Sequence, residues 1–74
     1  MPLVNVKVIE QIFTSQQKRE LVGKLTDAIA SVAGEGLRPV TSVIIEEVQG
    51  GDWGIGGKPV TVEAVKQMMG QKPT

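Results

Sequence analysis

Seventy-four residues, 41% hydrophobic and 22% charged, make one small domain over 1–74 and exclude a disordered chain, which would be poorer in apolar residues and carry net charge. Eight basic side chains balance eight acidic ones, and an isoelectric point near 6.2 denies the basic excess that a phosphate-binding domain needs, so no nucleic-acid partner is expected. With no cysteine and no histidine, disulfides, thiol chemistry, zinc sites and histidine triads are all excluded; neither a metal nor a cofactor is expected.

The chain opens on Met1 and Pro2. Residues Leu3 to Ile9 then read as a strand, with Val4, Val6 and Val8 on one face and Leu3, Asn5, Lys7 and Ile9 on the other. Thr14 is a good helix N-cap, and Gln17 three residues on completes a capping box. Leu21, Val22, Leu25, Ala28, Ile29, Val32 and Ala33 follow at the spacing of one apolar helical face. Gly34 and Gly36 supply the stop signal, and Gly23 in the middle hints at close packing. Val40 to Val48 reads as a second strand around the apolar run Val43, Ile44, Ile45. Strand, helix and strand with short joins make a βαβ unit of α/β (α+β) class, with parallel strands and a right-handed crossover. The glycine-rich stretch GGDWGIGG is a turn-rich loop or short hairpin. A short helix is expected from Thr61 to Met69, and the tail from about residue 70, QKPT, should fray.

Neither the roughly 20 apolar residues of a membrane span nor a signal peptide is present, so a soluble, cytoplasmic chain with no membrane partner is the expectation. A chain of this size buries only about 60% of its unfolded surface, and Phe13 and Trp53 are its only aromatic residues. A two-stranded sheet has too few strands to stand alone. A homo-oligomer is therefore expected, the apolar second face of the sheet serving as subunit interface.

The acid–base inventory is thin, and Pro2 is its unusual member. Were Met1 removed, Pro2 would carry the α-amino group, and an ordinary α-amine titrates near 7.7–8.0. Desolvation or a neighbouring cation lowers that value toward the range useful to a general base; the plain alternative is a strand-edge proline. Three other features read as structural. GIGG lacks the ending of a phosphate loop. Glu46 and Glu47 alternate faces and do not form a paired-carboxylate site, and Met68 and Met69 suit a gap-filling role at an interface.

Taken together, Met1-Pro2, the strand LVNVKVIE, then TSQQKRELVGKLTDAI, TSVIIEEV and GDWGIGG resemble the 4-oxalocrotonate tautomerase family in order and spacing, from Pro2 to about Gly57. The resemblance implies a keto–enol tautomerase of a small 2-oxo acid or related enol, with Pro2 as general base and acid. It implies a homo-oligomer, a hexamer first, with dimer and trimer as alternatives. It also places Trp53 as the active-site aromatic, Ile55 as an apolar wall and Ile9 as a further apolar contact to the small-molecule substrate.

The departures are specific. The family's best-known members carry one arginine just after the first strand, where this chain has Ile12 and Phe13, and a second in the other strand, where it has Thr41 or Ser42. Arg38, just before that strand, is the candidate substrate-binding cation that could approach from another angle; its plainer reading is a solvated or helix-end cation. Lys7 has the same two readings, as a site cation or as the charge that protects a strand edge. Two further functions stay open: an iminium-forming proline enzyme of decarboxylase or hydratase type, and a non-catalytic oligomeric binding module on the same scaffold.

Overall fold

The computed structural model describes residues 1–70. In chain order it has β1 (Leu3–Ile9), α1 (Ser15–Ala33), a 3₁₀ segment (Glu35–Val40), β2 (Ser42–Val48), β3 (Gly54–Ile55), β4 (Lys58–Pro59) and α2 (Val62–Met68). The expected fraying of QKPT lies outside the described residues. No helix among them is long and apolar enough to cross a membrane.

β1 and β2 form one two-stranded sheet. Ser42 N–H donates to the Pro2 carbonyl at 3.0 Å near one end, and Glu10 N–H donates to the Val48 carbonyl at 2.8 Å near the other. Residue numbers rise together along both strands, so the pair is parallel, as the βαβ pattern requires.

The chain divides into two units, residues 1–6 with 13–46, and residues 7–12 with the segment from 47 onward. In the first, α1 starts where the sequence placed it. Thr14 Oγ1 accepts from Gln17 N–H at 3.1 Å while the Gln17 side chain accepts from Thr14 N–H at 2.9 Å, a complete capping box. The helix closes at Gly34, whose N–H donates to the Ala30 carbonyl at 2.9 Å. Leu21, Leu25 and Ile29 are half-buried and Ala30 is buried, whereas Val22, Ala28, Val32 and Ala33 are exposed. The expected apolar face is thus only partly used within this chain. Val32 sits in the last turn, 89% exposed. Ala30, outside the expected stripe, belongs to a helix that packs on the 3₁₀ segment, an element that periodicity did not reveal. That segment takes Val40 out of the expected second strand, which begins at Ser42. Gly23 is a further correction: an added Cβ there would meet nothing within 4 Å, so no close packing inside the chain explains it.

In the second unit, Val8 and Ile9 at the end of β1 are buried. β3 and β4 pair antiparallel, Gly54 opposite Pro59 and Ile55 opposite Lys58. Gly56 and Gly57 between them have φ of 60° and 83°; two consecutive positive-φ residues are what a tight hairpin of primed type demands. α2 begins at Thr61, whose Oγ1 accepts from Ala64 N–H at 3.1 Å. Met68 and Met69 on it are exposed.

Candidate active site

Pro2 precedes β1 and is half-buried. Proline has no N–H to give a sheet ladder, and its contribution is the carbonyl that accepts from Ser42 N–H at 3.0 Å. The main chain of Pro2 is therefore held against the start of β2. The β2 residues themselves are set by the 3₁₀ segment. Thr41 Oγ1 donates to the Leu37 carbonyl at 2.8 Å, and Thr41 N–H donates to the Arg38 carbonyl at 3.3 Å. Thr41 thus commits its hydroxyl proton to its own turn, and Ser42 commits its amide to Pro2.

Arg38 belongs to the same unit, and its guanidinium holds two carboxylates. Nε and Nη2 donate to the Glu35 carboxylate at 2.8 and 3.1 Å, and Nη1 donates to Asp27 Oδ1 at 2.6 Å. This forked geometry favours arginine over lysine. The hydrogen bond from Arg38, and then its charge, hold the Glu35 carboxyl below its ordinary value of 4.5. The hydrogen bonds that Arg38 donates to Glu35 and then to Asp27 drive its guanidinium further above its ordinary value. Arg38 thus ties the 3₁₀ segment to α1, as a solvated, helix-end cation would.

The remaining site candidates lie in the second unit. Ile9 is 3% exposed, so its side chain is a core group of that unit. Ile12, where with Phe13 the resemblance puts the family's first arginine, is half-buried; Phe13, half-buried as well, belongs to the first unit. Trp53 enters the hairpin half-buried, and its carbonyl accepts from Val60 N–H at 2.7 Å. Ile55, on β3, is 62% exposed, an apolar side chain free to face a ligand or another copy.

One carboxylate escaped the sequence analysis. Glu10 Oε2 accepts from Gly50 N–H at 2.8 Å, just upstream of Trp53. The partners are 40 residues apart, so no local spacing announces the contact; the only signal is a carboxylate at a strand end in a chain that also carries a glycine turn. Among the described residues no group of three or more acidic side chains is arranged to hold a metal ion.

Comparison with known proteins adds an independent line. The family model described as "Tautomerase enzyme" matches residues 2–63, so it starts at Pro2 and runs past the hairpin into α2. The chain is 39% identical over 62 residues to Probable tautomerase K2 of Dickeya dadantii, covering 82% of this chain and 90% of that one. It is 35% identical over 66 residues to a probable tautomerase of Campylobacter jejuni, covering 89% and 93%. Among solved structures, DmpI from Helicobacter pylori superposes with a TM-score of 0.72 at 30% identity, covering 80% of this chain and 95% of that one. A structure from work on the 4-oxalocrotonate tautomerase isozymes of Methylibium petroleiphilum superposes with a TM-score of 0.71 at 33% identity, covering 86% and 97%.

Proposed function

Because this chain belongs to the tautomerase family, and so has a tautomerase-type function, we propose that it is a keto–enol tautomerase whose general base and acid is Pro2, freed by removal of Met1. The observation that carries the proposal is the setting of Pro2: first residue of the family match, half-buried, its carbonyl fastened to Ser42. In a chain without histidine or cysteine, a secondary amine held this way is the group best suited to proton transfer near neutrality. The amine takes the proton of the enol hydroxyl, and the resulting ammonium returns a proton to carbon, leaving the keto isomer and a free amine. Trp53 and Ile55 supply an apolar wall for the rest of the substrate, whereas Ile9, 3% exposed, has little surface to offer it. Arg38 contributes to carboxylate binding only by exchanging Glu35 or Asp27 for the substrate.

The proposed working unit is a homo-oligomer, hexameric by resemblance. Among the described residues Val8, Ile9 and Ala30 are the buried hydrophobic ones, while Leu3, Val32, Ile44 and Ile55 stay exposed by 61, 89, 44 and 62%. A single copy thus leaves much apolar surface to cover.

The test compares ketonisation of phenylenolpyruvate by the wild-type chain and by Pro2→Ala, both shown by mass spectrometry to lack Met1. Pro2→Ala should lose at least about a hundredfold in kcat/KM, within the span ascribed to general acid–base catalysis. Some rate should survive, because a primary amine remains. An unchanged rate at matched oligomeric state removes proline from the mechanism. The second reading, a binding module without catalysis, draws on the pairing of Arg38 with Glu35 and Asp27, which leaves that cation committed. Wild-type protein that binds an enol analogue without turning over the enol would favour it.

A further inference from the structure

Gln49 to Asp52 form a turn closed by Asp52 N–H donating to the Gln49 carbonyl at 2.9 Å, with Gly51 at φ 94° in its third position. Such a turn uses the amide of its last residue and leaves that of its second residue, here Gly50, outside the internal bond. Gly50 is half-buried, so its N–H needs an acceptor from elsewhere. Glu10 provides one at 2.8 Å. The same residue's own N–H bonds the Val48 carbonyl at 2.8 Å. Glu10 therefore grips the chain twice where it leaves β2, once by main chain and once by carboxylate. There is little slack around Gly50, since a Cβ there would lie 3.1 Å from Val62 Cγ2 and 3.5 Å from Glu10 Oε2. The next residues after this turn are Trp53, fastened by Val60 N–H at 2.7 Å, and β3 with Ile55.

We propose that Glu10 is a positioning residue for the apolar wall: its carboxylate fixes Gly50, and through it the seat of Trp53 and Ile55, so that affinity for an aryl or alkyl enol depends on a side chain that does not touch the substrate. The role in affinity rests on the proposed tautomerase site; the seating of Trp53 does not. A carboxylate suits the task because a charge-assisted bond to an amide is stronger than a neutral one, and because Glu10, the residue just after β1, is itself held by its N–H on the Val48 carbonyl and not by the loop it steadies.

The chain's single tryptophan makes emission and acrylamide quenching reports on Trp53 alone. In the full chain, Glu10→Met keeps bulk and removes the acceptor, while Glu10→Gln keeps a neutral acceptor. Glu10→Met should speed hydrogen exchange at the Gly50 amide by about tenfold or more, change Trp53 emission or quenching, and raise KM for phenylenolpyruvate several-fold with kcat nearly constant. Glu10→Gln should recover most of each effect. Unchanged Gly50 exchange and unchanged Trp53 emission in Glu10→Met overturn the proposal, as does a loss confined to kcat that Glu10→Gln fails to rescue. Should Glu10→Met not fold, Glu10→Gln is read alone: its weaker acceptor should speed exchange modestly, and no change in exchange or quenching overturns the role. A wild-type chain without ketonisation activity would refute the proposed function instead. Exchange, and quenching of Trp53 by added phenylpyruvate, would then decide the role of Glu10 on their own.

Discussion

Gln11 is the described residue other than glycine with positive φ, at 67°. It follows the buried end of β1 and turns the chain toward Ile12. The left-handed region costs an L-residue about 1–2 kcal/mol, and glycine avoids that cost while giving back roughly 0.5–1 kcal/mol in backbone entropy. Gln11→Gly should therefore stabilise the fold by about 0.5–1 kcal/mol, read as a higher urea midpoint at constant slope. A lower midpoint would mean that the Gln11 side chain supports the turn. Pro2 and Trp53 stand out at this scale too, but for different reasons. Pro2 is identifiable because its chemistry is peculiar to a chain start, Trp53 because it is unique and follows a glycine pair. Glu10 is as well placed as either, yet a carboxylate bonded to an amide 40 residues away leaves no trace in a linear pattern.

At the scale of elements, caps and turns were legible because they are local: Thr14 with Gln17, and Gly56 with Gly57, bond or bend within a few residues. The 3₁₀ segment was not, since Val40 reads as the start of the second strand and Pro39 suits either conformation. What keeps it in place is Arg38 between Glu35 and Asp27. The pairs are well exposed, so their net effect on stability is modest and salt-sensitive. Its sign with pH follows from Glu35, held below its ordinary value of 4.5 by the Arg38 hydrogen bond first and the Arg38 charge second. A carboxyl with a lowered folded-state value stabilises above its unfolded value and ceases to do so as pH falls through the folded one. The melting temperature of wild type should exceed that of Arg38→Met around roughly pH 6, and the gap should close below about pH 4. A gap constant across that window would assign the effect of Arg38 to packing of its aliphatic stem.

For the whole molecule, assembly and specificity are coupled. A sheet of two strands needs cover, and the exposed Leu3, Ile44 and Val32 are the surfaces that copies of the chain would share. Sedimentation at micromolar concentration should show a homo-oligomer; a folded monomer there would overturn the proposed assembly. In the proposed assembled site, the resemblance puts Ile12 and Phe13 at the place of one arginine, and Thr41 or Ser42 at that of the other. A carboxylate loses charge-assisted bonds worth about 1.5–3 kcal/mol each, and two such losses weaken a dianion by a factor on the order of a hundred or more. An aryl group against Trp53 and Ile55 loses nothing comparable. kcat/KM should accordingly be higher for phenylenolpyruvate than for 2-hydroxymuconate on one preparation. A tenfold preference for the dicarboxylate would mean that another cation serves the site, Arg38 released from its carboxylates being the first to test.

The βαβ order, the helix start, the hairpin and the resemblance to the family are all legible in the residues alone. Those rest on residue type at short spacing: alternation along β1, a capping box, a glycine pair between strands, and a proline in second place. Which part of the α1 stripe is covered, the hold of Asp27 and Glu35 on Arg38, and the bond from Gly50 to Glu10 emerge with the folded chain. Periodicity says which side chains share a face, whereas burial and partnership depend on what the folded chain lays against that face. Among the described residues, almost nothing lies against Val32 or beside Gly23, whereas Gly50 meets a carboxylate from 40 residues away.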